Sequence, residues 1–392
     1  MPAGIKSDPS VSRSVNRRLI LNLLRRNGPM SRAALTLATG LSAPAVTSVV
    51  ATLIREGFAR EGRTAPGALG RRPVPIGLHY AGRLAVGVKL MAGALDAVVT
   101  DLSTTPLSRL RRSLPDNRPD TVVASIATAV AELRRGAAAD DVPLIGIGVS
   151  LPGTVDTRLG LCRRSERLDW TDIPVAALLA ERTGTPVWLE DDTNAFALAQ
   201  HLFGLGRDHA TMAALAIGAG ISCATVIDGK LFRGGHGAAG KIGHVIHDGA
   251  GPLCECGRRG CLQAWYSERA IVAAWERETA WDGERGHAGL LAALATGDRA
   301  AEEVLGRAGE AIGRHLASFV AVVDPEIIVV GGEAVAFGEA LFGPMRAALA
   351  RLTLQHPPPL RPDWDDAAWA RGAAALATQH VFDFEEAGIA GP

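Results

Sequence analysis

The residues best suited to chemistry are Cys254, Cys256 and Cys261, which follow His244 within one short segment. The whole chain has only 5 cysteines in 392 residues, so their density here is unusual. Thiolates and an imidazole crowded in this way are typical ligands of a tetrahedral Zn²⁺. Because these four side chains fill all four positions, we predict a structural zinc with no open position for water.

Glycines in the same segment favour this interpretation. Gly257 and Gly260 let the backbone turn tightly enough for two cysteine side chains to face one ion. We call the segment Gly243–Cys261 the zinc loop, and within it His247 is a spare ligand. The alternative is three unrelated reduced cysteines in a glycine-rich loop.

The zinc loop and its flanks, AAGKIGHVIHDGAGPLCECGRRGCLQAW, resemble the zinc-loop signature of the ROK family (repressor, open reading frame, kinase). That family holds sugar kinases and sugar-responsive bacterial repressors. The resemblance implies an α/β fold, namely an actin-like (ribonuclease-H-like), two-lobed ROK domain over residues 81–392. It also implies Zn²⁺ as a structural cofactor. Further matching segments extend the resemblance from Asn16 to the C-terminal region.

Charge is distributed unevenly along the chain. Residues 1–72 carry 12 Lys/Arg and 3 Asp/Glu, whereas the remainder carries 29 and 38. A basic segment on an acidic body indicates a nucleic-acid-binding head, and a solvated basic face without a partner is the alternative. No apolar run approaches a membrane span, and the N-terminus lacks an apolar signal core. We therefore expect a reduced, cytoplasmic protein whose thiols bind metal rather than form disulfides.

The basic segment has the pattern of a helix-turn-helix. Periodic apolar residues predict helices over Asn16–Asn27, Arg32–Thr39 and Ala43–Glu56, with Ser31 and Ser42 as N-caps. Two helices joined by a short glycine turn are typical of this DNA-binding motif. A small helical bundle for protein contact is the alternative.

A wing completes the predicted head. Phe58–Glu61 and Val74–Leu78 read as its two strands, and the segment resembles the winged helix-turn-helix that precedes the ROK domain in the family's repressors. We therefore predict that residues 1–80 bind double-stranded operator DNA. Small residues of the third helix can approach base edges, and the wing arginines can reach phosphates or the minor groove. The predicted DNA-binding residues are Ser31, Arg32, Ser42, Ala43, Pro44, Ala45, Thr47, Ser48, Thr52, Arg63, Arg71 and Arg72.

Two loops that cradle ATP phosphates in the family's kinases are altered in this chain. Where the family has Asp-x-Gly-Gly-Thr, Lys89–Gly93 has a base for the acid and Met91 for the first glycine. Where the family has Gly-Thr-Gly-Ile-Gly, Gly218–Ser222 has Ala219 for the threonine and Ser222 for a glycine. Phosphate loops need close backbone approach and free N–H groups. The departures argue against ATP binding and against an enzyme.

The resemblance also implies a sugar cleft. Asp192 matches the kinase base, which also hydrogen-bonds a sugar hydroxyl, and Asp191 replaces a sugar-contacting asparagine. Lys241 and Gln263 replace two sugar-binding glutamates, and Lys241 favours an effector with an anionic group. The implied ligand-binding residues are Gly153, Asp191, Asp192, Lys241, His244 and Gln263. The alternatives are that the acids serve a helix N-terminus, and that Lys241 pairs with Asp191 and no sugar binds.

Together these features predict a transcriptional regulator, a repressor of carbohydrate genes, whose effector is a sugar or an acidic sugar derivative. A homodimer or homotetramer is expected, because helix-turn-helix proteins bind paired half-sites. No membrane partner is expected. The alternatives are an ATP-dependent sugar kinase with an appended head, and a ligand-independent DNA-binding regulator with a vestigial body.

Overall fold

The computed structural model describes residues 9–62, 73–137, 141–365 and 367–382. The helices are α1 (Pro9–Asn27), α2 (Arg32–Thr39), α3 (Ala43–Arg55), α4 (Pro119–Gly136), α5 (Val175–Thr183), α6 (Asp192–Phe203), α7 (Leu262–Tyr266), α8 (Glu268–Glu278), α9 (Gly286–Ala295), α10 (Arg299–Val323), α11 (Glu339–Leu352) and α12 (Ala368–Phe382). Short 3₁₀ turns cover Tyr80–Gly82, Ile242–His244 and Glu333–Phe337.

The strands form four sheets. They are β1 (Met30–Ser31), β2 (Ala59–Glu61), β3 (Pro75–Leu78), β4 (Leu84–Met91), β5 (Ala94–Asp101), β6 (Pro106–Ser113), β7 (Leu144–Leu151), β8 (Thr154–Asp156), β9 (Leu161–Ser165), β10 (Trp170–Ile173), β11 (Val187–Asp191), β12 (Met212–Ile217), β13 (Ile221–Ile227), β14 (Lys230–Phe232), β15 (Ile327–Gly331) and β16 (Leu360–Pro362). Their orders are β1-β3-β2, β10-β9-β8, β11-β7-β4-β5-β6 and β14-β13-β12-β15-β16.

The chain forms two compact units. The first comprises Met1–Ser150, Val175–Leu189 and Ala373–Pro392, and the second comprises Leu151–Pro174 and Glu190–Gly372. The predicted division at residue 80 falls inside the first unit and stays a prediction.

The head has the predicted helices and wing. Ser31 Oγ accepts a hydrogen bond from the backbone N–H of Ala34, and Ser42 Oγ accepts one from that of Ala45, so both predicted N-caps are confirmed. Strands β2 and β3 pair antiparallel, as the wing requires. The sequence did not predict β1, which pairs with the other edge of β3. The buried side chains of the second and third helices are Leu35, Val46, Val50 and Leu53.

The larger sheet of the first unit is mixed. Strand β4 pairs antiparallel with β5 and parallel with β7, and β5 pairs antiparallel with β6. Helix α12 packs tightly on this unit because Gly148 of β7 has no side chain. A Cβ at Gly148 would lie 1.8 Å from the carbonyl oxygen of Ala373.

Gly148→Ala is therefore expected to cost about 2–4 kcal/mol of stability, because the added methyl meets rigid backbone. The measurement is the thermal unfolding midpoint of the full chain. Gly306→Ala in α10 is the matched control, since a Cβ there meets nothing within 4 Å. An alanine inside a helix should be neutral or stabilising by about 0.5–1 kcal/mol. Equal midpoints for the two variants would contradict the close packing.

The second unit is built on the parallel pairs β12–β15 and β15–β16, with β13 and β14 added antiparallel. Helix α10 packs along α11 because two glycines remove the side chains between them. A Cβ at Gly309 would lie 2.2 Å from Leu341 O, and one at Gly313 would lie 2.4 Å from Met345 O. The core of this unit includes Trp275, Leu305, Ile312 and Phe342.

Among the described residues, no single helix has both the length and the apolar character to cross a membrane. Helices α2 and α3, which are bent by 117° from each other, pass that test only as a pair, by length and composition.

Candidate functional site

The zinc loop brings its four predicted ligands together. The ligand atoms of His244, Cys254, Cys256 and Cys261 all lie within 4.8 Å of one another. Cys254 Sγ is 3.6 Å from His244 Nδ1, and Cys256 Sγ is 3.7 Å from Cys261 Sγ. These separations fit the edges of a tetrahedron, about 3.7 Å long, around an ion with bonds of about 2.3 Å. The donor set suits zinc.

Backbone geometry explains how the loop reaches this arrangement. Gly257 and Gly260 both adopt positive φ, at 83° and 69°, which fits the tight turn predicted from the sequence. A Cβ at Gly260 would lie 1.6 Å from Asp248 O, so no other residue fits there without rearrangement. The loop closes through isolated bridges between Ile246 and Cys261 and between Leu253 and Arg259.

Protonation favours metal binding at His244 and Cys256, whereas burial raises the pKa of Cys254 and that of Cys261, the latter to about 12, so a metal must displace protons from these two thiols. Burial lowers the pKa of His244, so its imidazole is neutral at physiological pH and can donate a lone pair. Burial alone would raise the pKa of Cys256. Hydrogen bonds from Arg258 and from the neighbouring cysteines instead bring the pKa of Cys256 to about 7, which favours the thiolate that binds metal.

His247, the spare ligand, belongs to a different cluster. Its Nδ1 lies 3.2 Å from His315 Nε2, and its Nε2 lies 3.4 Å from the hydroxyl of Tyr266. Both ring nitrogens therefore have partners other than the thiols. The geometry keeps His244 as the imidazole of the ligand set.

The predicted ligand-binding residues lie in the second unit, and three of them already contact one another. Lys241 Nζ is 2.6 Å from Asp191 Oδ2 and donates to Gly153 O over 3.3 Å. Asp191 is also the N-cap of α6 and accepts from the backbone N–H groups of Thr193 and Asn194. Burial alone would lower the pKa of Lys241, but the carboxylates led by Asp191 raise it, so the ammonium is charged. Asp191 therefore makes the contacts of both alternatives given for it: it caps the N-terminus of a helix, and it pairs with Lys241.

Asp192, the next residue, is differently placed. It begins α6, its side chain is only partly buried, and one oxygen accepts from Thr193 Oγ1 over 3.2 Å. The helix dipole stabilises a carboxylate at this end, and a carboxylate oxygen can accept hydrogen bonds from hydroxyl groups. Beside it, Glu190 is buried and receives Arg233 Nε at 2.6 Å. Asp192 is therefore the acid of this group that solvent reaches.

Arg167 and Glu255 belong to this site, but they were not among the residues predicted from the sequence. Arg167 forms a two-pronged ion pair with Glu255, at 3.0 and 2.8 Å, and donates to Ala219 O over 3.2 Å. Gln263 Nε2 donates to the same carboxylate at 2.9 Å and lies 3.7 Å from Cys254 Sγ. These contacts join the zinc loop to Gly218–Ser222. The only signal in the sequence was an acid placed between two of the predicted metal ligands, Cys254 and Cys256.

The first altered phosphate loop is a tight hairpin turn. Strand β4 continues to Met91, and β5 begins at Ala94. Lys89 is buried opposite Asp96, which receives Arg109 through two hydrogen bonds. The N–H of Gly93 donates to the side chain of Asn117 over 2.8 Å, so it is not free for an anion.

The second altered loop has an acid beside it. A Cβ at Gly218 would lie 2.0 Å from Glu333 Oε2, so this carboxylate approaches the loop backbone. The N–H of Gly218 is used internally, since it donates to Gly220 O over 2.9 Å. A negative charge at this position opposes phosphate binding.

Five of the twelve predicted DNA-binding residues lie on the exposed face of α3, and Ser31 is a partly buried N-cap. Ser42, Ala43, Pro44, Thr47 and Ser48 are exposed, and α3 buries its opposite face. Ala45 and Thr52 are partly exposed. The side chain of Arg32 is occupied by an ion pair with Glu61 at 2.8 Å. Arg63, Arg71 and Arg72 lie outside the described residues.

The head and the body both match known families. A model described as "Winged helix-turn-helix DNA-binding" matches residues 13–60, and the ROK family model matches residues 85–380. The chain therefore belongs to the ROK family, and the predicted fold class is confirmed.

Individual relatives include both branches of the family. The chain is 36% identical to a glucokinase of Thermotoga maritima, over 60% of this chain and 77% of the relative. It is 30% identical to a xylose repressor of Bacillus subtilis, over 68% of this chain and 69% of the relative. The crystal structure of a ROK family transcriptional regulator, described as a homologue of the E. coli MLC protein, superposes with a TM-score of 0.83. That structure is 25% identical and covers 95% of this chain and 98% of its own.

Proposed function

We propose that this protein is a transcriptional repressor whose affinity for operator DNA is controlled by a sugar. The observation that carries the proposal is the combination of an exposed small-residue face on α3 with a ROK body whose phosphate loops are occupied by its own side chains. Residues 1–80 act as the DNA-binding part and residues 81–392 as the sensor. The likeness to a xylose repressor and to a regulator structure supports the same assignment.

The protein is not a kinase in this proposal, although a glucokinase is among its relatives. Phosphoryl transfer depends on backbone N–H groups and cations that hold the phosphates. Here the N–H groups of Gly93 and Gly218 already have acceptors, and Glu333 lies beside Gly218. Asp192 is left as a group that binds a hydroxyl.

Zinc is the proposed metal, held by His244, Cys254, Cys256 and Cys261. When bound, it supplies a fixed four-coordinate anchor with no free position, so its role is structural. The chain's own residues do the rest: Arg167 and Gln263 hold Glu255, which lies between two of the ligands. This arrangement supports a loop whose order depends on the metal.

A neutral sugar is the effector that the local charges favour. Asp191 already neutralises Lys241, Glu190 neutralises Arg233, and Glu255 neutralises Arg167. Together with Asp192, these residues comprise four carboxylates and three cations, and that negative balance opposes an anionic ligand. The anionic effector inferred from Lys241 is therefore less favoured than a neutral polyol.

Regulation is proposed to act by linkage. A sugar that binds one conformation of the body more tightly than another shifts the population toward it. In a homodimer or homotetramer, that shift changes the separation of two heads, and the separation must match operator half-sites about one helical turn apart. A sugar that binds both conformations of the body with equal affinity would not change the affinity for operator DNA.

An electrophoretic shift assay with the DNA upstream of the protein's own gene tests the proposal. We expect a shifted band that is lost with a neutral sugar from a panel of neutral sugars, acidic sugars and sugar phosphates. Absence of any band would contradict the assignment of the head. Release by an acidic sugar alone would contradict the charge argument.

A second candidate function is a ligand-independent DNA-binding regulator. The ion pair between Asp191 and Lys241 favours it, because two of the implied ligand-binding side chains already satisfy each other. A band that persists with every sugar, together with no sugar binding in calorimetry, would select this candidate.

Asp192→Asn is expected to weaken sugar binding by about 10–100-fold, because a hydrogen bond to a charged acceptor contributes about 1.5–3 kcal/mol. DNA binding without sugar should be unchanged. Asp120→Asn is the matched control, since Asp120 also lies in the first turn of a helix but is exposed in α4. Calorimetric titration of both variants measures the effect, and equal sugar affinity for both would remove Asp192 from the site.

A further inference from the structure

Helix α12 has residues in both compact units. Ala368–Gly372 belong to the second unit and Ala373–Phe382 to the first. Each part makes its own close contacts, and the two sets of contacts involve different functional regions. Strands β7 and β11 also have residues in both units, and α12 is the helix that shares this property.

The end of α12 contacts helix α1 of the head. Asn22 Nδ2 donates to the backbone carbonyl of Phe382, and Asn22 Oδ1 accepts from Arg25. The guanidinium of Arg25 lies over the ring of Phe382, 5.7 Å from its centroid. Arg25 is 9% exposed and Phe382 is 2% exposed, so this contact is buried. We call these three residues the α1–α12 contact.

The contact combines a hydrogen bond with a cation on an aromatic face. Asn22 donates to the backbone carbonyl of Phe382, and the guanidinium of Arg25 lies over the Phe382 ring. A buried arginine on an aromatic face contributes more than an exposed one, because little water competes for it. The contact therefore fixes α1 to α12 in orientation as well as in position.

The start of α12 packs on helix α6, whose first residue is Asp192. A Cβ at Gly372 would lie 2.9 Å from Phe196 N and 3.0 Å from the carbonyl carbon of Ala195. Ala368 also packs in a core cluster with Phe196. With this little space, a displacement of the first turns of α6 must displace α12.

We propose that α12 transmits the ligand state of the Asp192 region to the head, and that Asn22, Arg25 and Phe382 are the positioning residues of that transmission. The proposal rests on the proposed function. It makes the three residues necessary for the response of DNA binding to sugar, but not for sugar binding and not for DNA binding alone.

The test uses the full chain with D-xylose, D-glucose and N-acetyl-D-glucosamine as probes, each alone. Sugar affinity is measured by calorimetry, and DNA affinity is measured with and without sugar. For the unaltered protein, we expect sugar to change DNA affinity by about 5–150-fold. Phe382→Ala and Arg25→Ala should retain sugar affinity, but the change in DNA affinity should fall below about 2-fold.

Arg26→Ala is the matched control for Arg25→Ala. Arg26 is exposed on the same helix, so its loss removes the same charge from the head without touching Phe382. It should keep the full response to sugar. Phe382→Trp keeps an aromatic face for Arg25 and should restore most of the response that Phe382→Ala loses. A full response in both Phe382→Ala and Arg25→Ala would overturn the proposal.

Hydrogen exchange separates this proposal from the proposed function. If no probe sugar binds the unaltered protein, the sugar-sensor function fails for those sugars, and the α1–α12 contact is still tested directly. Amide exchange in Ile20–Arg26 should then be faster by about tenfold in Phe382→Ala than in the unaltered chain, since the contact stabilises that segment. Unchanged exchange would overturn the contact as a positioning element.

Discussion

Cys261→Ser is expected to abolish stoichiometric zinc binding and to destabilise the protein by about 3 kcal/mol or more, because loss of a structural metal is among the most damaging single changes. Cys261 is fully buried and its Sγ lies 3.7 Å from Cys256 Sγ. A serine hydroxyl is a far weaker zinc ligand than a thiolate, and the remaining thiols would be left close together without a cation between them. The unfolding midpoint should fall by about 6–12 °C.

Zinc content by mass spectrometry and thermal unfolding of the full chain measure this effect. Cys223→Ser is the matched control, because Cys223 is equally buried but lies in β13, outside the four-residue cluster. It should retain one zinc per chain and lose only the smaller amount expected for a polar group introduced into a core. A Cys261→Ser protein with full zinc and an unchanged midpoint would show that the ligand set is wrong.

The four side chains that could hold a metal ion could be predicted from the sequence because they are close together along it. The three cysteines lie within one loop, and the glycines that shape that loop are its neighbours. The same locality explains the helices. Helix α10, Arg299–Val323, is an example, because its apolar residues recur at helical spacing over many turns.

Strands β1 and β6 could not be predicted in the same way. Strand β6, PLSRLRRS, alternates between exposed and partly exposed residues and reads as a charged loop. It is a strand because it pairs with β5 and because Arg109 reaches the buried carboxylate of Asp96. Strand β1 has only two residues, and its partner β3 is distant in sequence. Pairing rather than local propensity determines these elements.

Three residues, Arg167, Glu255 and Glu333, could not be predicted for the same physical reason. Arg167 and Glu255 are separated by 88 positions, and nothing in either local segment indicates the other. Glu333 approaches Gly218 only because β15 lies beside β12 in the sheet. Substitutions inside a motif, such as Met91, could be identified from the sequence. The side chains that contact the altered loops, Asn117 and Glu333, could be identified only from the fold.

Ser48→Glu is expected to reduce DNA affinity by about 100-fold or more, the largest effect predicted for the head. Ser48 is exposed on α3, the helix that enters the major groove in this class of domain. A carboxylate there is repelled by the phosphates and by the acceptor atoms that dominate the groove edge. In a dimer the change occurs twice, so about 1.4 kcal/mol for each head already gives 100-fold.

Thr128→Glu provides the matched control, since Thr128 is exposed on helix α4 of the body and receives the same added charge. It should change DNA affinity by less than about 2-fold, because charges in salt solution are screened beyond about 10 Å. Fluorescence anisotropy with operator DNA at several salt concentrations measures both. Ser48→Ala completes the set: it removes the hydroxyl without adding charge, so its loss should stay near tenfold or below, within the range of a single base contact. If Ser48→Glu and Thr128→Glu weakened binding equally, the effect would come from net charge, and α3 would not be the helix that contacts the bases.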